Sequence, residues 1–177
     1  MSRPVNLRAS VPTPRRGNPM TDRQTIDIRV RLGLPADLET IVGFNADMAL
    51  ETEGKILDVG PLTTGVRALL GDANRGFYLL AESSGRVLGQ LMITTEWSDW
   101  RNAYFWWIQS VYVAEDSRRI GVYRALNDHV RAQALKQGDV CGIRLYVDRD
   151  NRVARQVYHE LDMVHARYDL FEIEFDR

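Results

Sequence analysis

The stretch SRRIGVYRAL, Ser117 to Leu126, carries two arginines and one glycine where a predicted strand gives way to a predicted helix. A helix N-terminus offers unpaired N–H groups and a partial positive charge, which suits a phosphate group. Gly121 would leave room for a ligand close to the main chain, while Arg118 and Arg119 would add positive charge. An ordinary strand-to-helix turn with solvated arginines has the same pattern. The stretch alone therefore leaves a phosphate cradle and a plain turn as alternatives.

A second group of residues with possible chemistry lies on the next predicted helix, NRVARQVYHELD. At about 100° per residue, one face is predicted to pack on the core: Val153, Val157 and Leu161. Asn151, Ala154 and Tyr158 form a second stripe beside that face. A polar residue, a small residue and a tyrosine in line are typical of a groove wall, although a half-buried tyrosine with its hydroxyl at the surface gives the same pattern.

The elements that would position these residues follow a regular order from Ile26 onward. Apolar alternation predicts strands at IDIRVR, FYLLAE, VLGQLMITTE, YFWWIQSVYV, GIRLYVD and YDLFEIEF. Helical spacing predicts helices at LPADLETIVGFNADMAL, LTTGVRALLGD, RIGVYRALNDHVRAQALKQG and NRVARQVYHELD. The order β-α-α-β-β-β-α-β-α-β predicts an α/β (α+β) domain whose mixed sheet is antiparallel early in the chain and has crossover units late.

Composition limits the function classes. A chain of 177 residues suits one domain. Its formal net charge of −1 argues against nucleic acid or a membrane as partner, and no apolar run approaches the roughly 20 residues of a spanning helix. The single cysteine, Cys141, excludes an intramolecular disulfide and a Cys-rich zinc site. We expect a cytoplasmic protein without a bound metal.

The first residues differ from the rest of the chain. They contain Pro4, Pro12, Pro14 and Pro19, several arginines and almost no large apolar residue. Such a segment cannot bury enough surface to offset the entropy of ordering, so residues 1–24 are predicted to be a flexible N-terminal tail. Residues 25–177 are predicted to form a single domain.

The two residue groups together make the sequence resemble the GCN5-related N-acetyltransferase (GNAT) superfamily, over about Ile26 to Phe175. The superfamily's phosphate-binding signature, Arg/Gln-x-x-Gly-x-Gly/Ala, is similar to residues 118–123, RRIGVY. Tyr123 departs from this signature, because glycine or alanine is usual there. A second signature, an asparagine followed by a helix with alanine and tyrosine, is matched by Asn151, Ala154 and Tyr158.

The resemblance implies the GNAT fold: a mixed central sheet that is splayed in the middle, with helices on both faces. It also implies acetyl-CoA as the co-substrate, held where the strand YFWWIQSVYV diverges from GIRLYVD. The pantetheine arm would bind main-chain groups of Val111, Tyr112 and Val113. The pyrophosphate would bind the turn formed by Arg118, Arg119, Ile120, Gly121, Val122 and Tyr123. Asn151 would reach the pantetheine or the thioester beside Ala154, and Tyr158 would lie beside the sulfur.

The reaction implied by the resemblance is direct attack of an amine, from a small molecule or a peptide, on the thioester carbonyl. Tyr158 is predicted to give a proton or a hydrogen bond to the departing thiolate. Two alternatives remain: a degenerate GNAT-like domain that binds acyl-CoA as a sensor, and an unrelated nucleotide-phosphate binder. The sequence is also compatible with a homodimer.

The acceptor side is predicted from acidic and aromatic residues, because indole faces next to carboxylates suit a small cationic amine. The predicted acceptor set is Glu51, Glu53, Trp97, Asp99, Trp107 and Gln109. The general base could be one of the carboxylates, Glu96 included, or a water that relays the proton to one of them. Trp106 and Trp107 are adjacent in a strand and must point to opposite faces, so at most one of them lines the cleft.

Overall fold

A five-stranded mixed sheet forms the centre of the protein, seen in a computed structural model that describes residues 26–175. The strands lie in chain order: β1 (Arg29–Leu32), β2 (Phe77–Ser83), β3 (Arg86–Ser98), β4 (Ala103–Val113) and β5 (Val140–Leu145). Each pair from β1 to β4 is antiparallel, while β5 runs parallel to β4. A parallel pair needs a crossover connection, which here contains a helix. The predicted α/β class and mixed sheet are confirmed.

Helices cover both faces of this sheet, as predicted. One face packs against α1 (Leu38–Glu53) and α2 (Val59–Leu70), and the other against α3 (Val122–Gln137). A short α4 (Arg152–Glu160) follows β5. The α3 face carries the larger apolar cluster, which includes Leu91, Ile93, Trp106, Ile108, Leu126 and Val130. None of these four helices has the length and apolarity needed to cross a membrane.

The sheet splays between β4 and β5. Their parallel pairing ends at Ile108 and Leu145, whereas β4 continues to Val113. Just beyond the last pair, Ser110 has a φ of 49° and the register with β3 shifts, which marks a β-bulge. Within the described part of the chain, residues 109–113 therefore have no β5 partner, and their main-chain groups on that side face the gap between the two strands.

The last predicted strand is absent from the structure. The segment YDLFEIEF has no strand pairing, and its apolar side chains are exposed; Phe171, for example, is 93% exposed. Alternation of apolar residues reports a preference for extended backbone, but a strand forms only where a neighbouring edge accepts its hydrogen bonds. The prediction of a sixth strand was wrong for this reason.

Three smaller predictions also need correction. Helix α1 continues to Glu53, so Glu51 and Glu53 lie in its last turn and not in the loop that follows. Helix α3 begins at Val122, later than predicted. Val153, predicted to be in the core, is 78% exposed, whereas Leu161 is buried. Helix α4 is short and lies at the margin of the sheet, so only its C-terminal end reaches the core. The predicted tail, residues 1–24, lies outside the described residues.

Candidate active site

The turn before α3 has the shape of an anion cradle. Arg119 and Gly121 both adopt left-handed backbone conformations, with φ of 65° and 95°, and the predicted first helical turn is instead this loop. Left-handed residues within a turn point successive N–H groups into one concavity, which binds anions. The first helical hydrogen bond runs from the Ala125 N–H to the Gly121 carbonyl at 3.0 Å, so the N–H groups of Val122 and Tyr123 have no helical acceptor. These donors suit a phosphate group.

Gly121 owes its place to backbone geometry. Its φ of 95° is one that a glycine adopts without steric cost, while a Cβ added there would meet no heavy atom within 4 Å. No atom of residues 26–175 therefore fills the space beside the Gly121 Cα, and a ligand could approach the main chain there. Ile120, beside it, is partly exposed.

Arg118 connects this turn to β4 and to α1. Its Nε donates to the Val113 carbonyl at 3.0 Å, and its Nη2 donates to Glu51 Oε2 at 2.6 Å. The Tyr112 hydroxyl donates to the other Glu51 oxygen at 2.8 Å. The arginine therefore links the end of β4, the turn before α3 and the end of α1. The sequence had indicated only that Arg118 could add positive charge to the turn.

The same contacts fix the chemistry of Glu51. The hydrogen bond from Arg118, followed by that from Tyr112, holds the pKa of the Glu51 carboxyl below its usual range. A carboxylate stabilised in this way is a weaker proton acceptor than a free one. Burial, and then the hydrogen bond to Glu51, raises the pKa of Tyr112 to about 12. The structure thus gives Glu51 an ion-pairing contact with Arg118 at the turn before α3, where the sequence predicted a place on the acceptor side.

We expect Glu51→Gln to lower the melting temperature slightly at pH 7 and to lower it less at pH 3. A carboxyl with a lowered folded pKa stabilises the protein above its unfolded pKa of about 4.3 and loses that contribution as the pH falls through the folded value. The pair is partly solvated, so the effect should stay below about 1 kcal/mol. Thermal unfolding at both pH values checks this. Glu53→Gln is the control, since Glu53 pairs with exposed Lys55 and makes no other ion pair within residues 26–175; an equal change in both variants would contradict a special role for Glu51.

Tyr158 lies against the first turn of α3. Its ring meets that of Tyr123 edge to face, with centroids 5.8 Å apart and planes at 67°. Burial raises the pKa of both hydroxyls, so both are neutral near pH 7. The end of α4 is fastened to α3 by a hydrogen bond from Arg131 Nη1 to the Leu161 carbonyl at 2.9 Å. Thus the structure brings the predicted acid, Tyr158, next to the predicted phosphate turn.

Asn151 and Ala154 form the start of α4. The Asn151 Oδ1 accepts a hydrogen bond from the Ala154 N–H at 2.9 Å, which is a helix N-cap. This cap stabilises the start of α4 and explains why an asparagine precedes the helix. It uses the side-chain oxygen, so the amide NH₂ of Asn151 is the group that can donate to a ligand.

The two adjacent tryptophans of β4 point to opposite faces, as predicted. Trp106 is 3% exposed and belongs to the cluster under α3. Trp107 stacks on Tyr146 on the other face, with centroids 4.4 Å apart, and its Nε1 donates to Glu96. Trp107 is therefore the member of the pair on the side of α1 and α2.

An arginine that the sequence did not single out neutralises Glu96. Arg144 Nη1 donates to both Glu96 oxygens at 2.9 and 3.0 Å, and its guanidinium lies 3.5 Å from the centroid of the Phe105 ring. The hydrogen bond from Trp107, followed by that from Arg144, keeps the pKa of Glu96 below its usual range. Strand alternation in GIRLYVD, which puts Arg144 and Tyr146 on one face, was the signal that could have found them.

The predicted acceptor set is divided by the sheet. Trp97 pairs with Tyr104 on the Trp106 face, opposite Trp107. Asp99 lies in the turn after β3, where its Oδ1 accepts from the Trp100 N–H at 2.8 Å. Gln109, by contrast, shares the Trp107 face and donates to Thr94. The structure therefore groups Trp107 with Gln109, and separates them from Trp97.

Comparison with known proteins decides the family. Residues 48–163 match the model of the Acetyltransferase (GNAT) family. The chain belongs to the GNAT acetyltransferase family. The matched range contains the open edge of β4, the turn before α3 and all of α4, so the GNAT membership predicted from the two signatures is confirmed.

Solved structures agree with the GNAT assignment. A possible acetyltransferase from Clostridium difficile 630 is 42% identical, with a TM-score of 0.80 over 85% of this chain and 99% of that one. Two other structures show the fold alone. A ribosomal-protein-alanine N-acetyltransferase from Brucella melitensis biovar Abortus 2308 is 19% identical (TM-score 0.68, covering 85% and 100%). An aminoglycoside acetyltransferase from an uncultured soil metagenomic sample is 18% identical (TM-score 0.67, covering 85% and 100%). No match was found among curated proteins.

Proposed function

We propose that this GNAT protein transfers the acetyl group of acetyl-CoA to an amine of a small molecule or peptide, by direct attack of the amine on the thioester. The observation that carries the proposal is a set of three neighbouring features: the edge of β4 without a β5 partner at residues 109–113, the left-handed turn at Arg119 and Gly121, and the Tyr158 ring packed on Tyr123 just after that turn. An extended arm, a pyrophosphate and a thioester each have a matching partner along this path.

The residues present fit acetyl-CoA. The open space at Gly121 leaves the N–H groups of the turn free to bind the pyrophosphate, and the unusual Tyr123 does not fill that space with a free side chain, because its ring packs on Tyr158. Arg118 is close enough to the turn to add charge, since its side chain already spans from Val113 to Glu51. When bound, acetyl-CoA supplies the activated acetyl group.

The reaction requires attack of the amine on the thioester, protonation of the departing sulfur and removal of protons from the amine. The amine nitrogen forms the new bond to the acetyl carbon, and the carbon–sulfur bond breaks with its electron pair on sulfur. The Tyr158 hydroxyl, neutral near pH 7 because burial raises its pKa, gives its proton to that sulfur. The amine must lose its extra protons. Because hydrogen bonds from Arg118 to Glu51, and from Trp107 and then Arg144 to Glu96, keep both carboxylates weakly basic, water is the proposed carrier of those protons.

Release of free thiol from acetyl-CoA, measured with a panel of amines, tests this proposal. The panel holds a polyamine, an aminoglycoside, a lysine-containing peptide and a peptide with N-terminal alanine. At least one class should raise thiol release about 10²-fold or more above hydrolysis without amine, since oriented attack and acid assistance each contribute factors of this size. Binding of acetyl-CoA without turnover of any amine would contradict the enzyme and fit a sensor domain; stabilisation by ATP or NAD but not by CoA would contradict both.

A further inference from the structure

The Tyr123 hydroxyl is a buried polar group without a hydrogen-bond partner among residues 26–175. A phenol can both donate and accept, and leaving it unpaired in the interior is unfavourable. Phenylalanine would fill the same space without this disadvantage. An unpaired buried hydroxyl beside a candidate reaction centre therefore needs an explanation, and a catalytic role is one.

The ring that carries this hydroxyl packs against the ring of the predicted acid, Tyr158. The edge-to-face contact of Tyr123 with Tyr158 joins the first turn of α3 to α4, and no other aromatic pair bridges these two helices in the described part of the chain. Tyr123 is also the residue that departs from the family's phosphate-binding signature, in which glycine or alanine is usual. A larger side chain here brings a second phenol to the place where the proton is delivered.

We propose that Tyr123 is a positioning residue, whose hydroxyl donates a hydrogen bond to the Tyr158 oxygen as Tyr158 gives its proton to the thiolate. The inference rests on the proposed function, in which Tyr158 is the acid. As the carbon–sulfur bond breaks, the electron pair goes to sulfur, the Tyr158 proton goes to sulfur, and Tyr158 becomes a phenolate. The Tyr123 O–H stabilises that phenolate without being transferred, and Tyr158 regains a proton from the water that carries those released by the amine.

The negative charge that forms on the Tyr158 oxygen favours donation from Tyr123 to Tyr158. A hydrogen bond to an ionised acceptor is stronger than one to a neutral acceptor, so the contact gains strength as the phenolate forms. Burial, followed by the Tyr158 charge, raises the pKa of Tyr123 well above its usual value. Burial also raises the pKa of Tyr158. Tyr158 is the phenol that gives up its proton in the proposed function, so its oxygen is the acceptor that becomes charged.

The test uses Tyr123→Phe, Tyr158→Phe and the double variant, with an amine found in the thiol-release panel. We expect Tyr123→Phe to lower kcat about tenfold, the lower end of the range for losing one hydrogen bond to a charged group, and to leave KM for acetyl-CoA within about twofold. In the Tyr158→Phe background the same change should have no further effect, because the two hydroxyls act together. The fall of kcat at high pH should move to higher pH in Tyr123→Phe, since an unassisted Tyr158 holds its proton more tightly.

A second readout does not need turnover. The ultraviolet absorbance of tyrosinate during alkaline titration, compared with that of Tyr158→Phe, isolates the ionisation of Tyr158, which should occur at higher pH in Tyr123→Phe. Tyr168→Phe is the control, because the Tyr168 side chain is 84% exposed and the change should alter neither readout. An unchanged titration and pH profile in Tyr123→Phe, or a loss of kcat that persists in the Tyr158→Phe background, would overturn the proposal. If no amine is acetylated but the titration shifts, the proposed function fails while the hydroxyl pair stands.

Discussion

Gly121→Asp is expected to remove the rise in melting temperature that CoA and acetyl-CoA produce in the native chain. The new carboxylate would lie in the open space beside the turn, where the pyrophosphate binds in our proposal, and would repel it. The loss of a single charge-assisted hydrogen bond already weakens binding by at least about tenfold, and stabilisation by a ligand falls with its affinity. Thermal unfolding with increasing CoA measures this effect.

The folded protein should tolerate this change. An aspartate at a φ of 95° is strained, at a cost of about 1–2 kcal/mol, but a Cβ meets no neighbour there and a negative charge is favourable at a helix N-terminus. Gly138 provides a matched control, because it ends the same helix with a φ of 81° and equally open surroundings. Gly138→Asp should lower the melting temperature, since its charge opposes the helix dipole, yet keep the CoA-induced shift. A folded Gly121→Asp with native CoA affinity would exclude this turn as the phosphate site.

Tyr158→Phe is expected to lower kcat at least about tenfold while KM for acetyl-CoA changes little. The substitution keeps the ring that packs against Tyr123 and removes only the hydroxyl. General acid assistance is typically worth about 10²- to 10⁴-fold, and we expect the low end or less, because a thiol with a pKa near about 8.5 leaves readily as a thiolate. Steady-state kinetics at saturating acetyl-CoA measure the change.

If Tyr158 had only a structural role, Tyr158→Phe would leave catalysis unaffected. Loss of a half-buried hydroxyl would then alter the free energy of unfolding by less than about 1 kcal/mol and leave kcat unchanged. Tyr168→Phe, which removes an exposed hydroxyl, sets the background for such effects. Native turnover in Tyr158→Phe would remove this residue from the mechanism.

The sequence predicted those parts of the fold that depend on local patterns. Period-two and period-3.6 spacing located the elements from β1 to α4, and adjacency in β4 was enough to separate Trp106 from Trp107. The same local rule failed for YDLFEIEF, because alternation cannot tell whether a neighbouring edge is in place to pair with the segment. It also placed the start of α3 too early, since left-handed conformations at Arg119 and Gly121 leave no trace in hydrophobic periodicity.

The sequence predicted the site residues that lie close together in the chain, but not the contacts between residues that are far apart in sequence. The signature residues from Arg118 to Tyr123 and Tyr158 could be placed by their spacing, and the structure brings Tyr123 and Tyr158 together. The partner of Arg118, in contrast, is Glu51, which lies 67 residues away in sequence, and no local pattern encodes such a contact. Trp97 was grouped with Trp107 by proximity in sequence, although the pleat of β3 and β4 puts them on opposite faces.

Transfer of an isotopically labelled acetyl group from acetyl-CoA to an amine, followed by mass spectrometry, tests the central claim most directly. We predict that the native chain places the label on the nitrogen of at least one amine of the panel, that the intact protein carries no label of its own, and that Gly121→Asp abolishes the transfer while Gly138→Asp does not. A native chain that binds acetyl-CoA and labels no amine, or that carries the label covalently before passing it on, would contradict direct acetyl transfer.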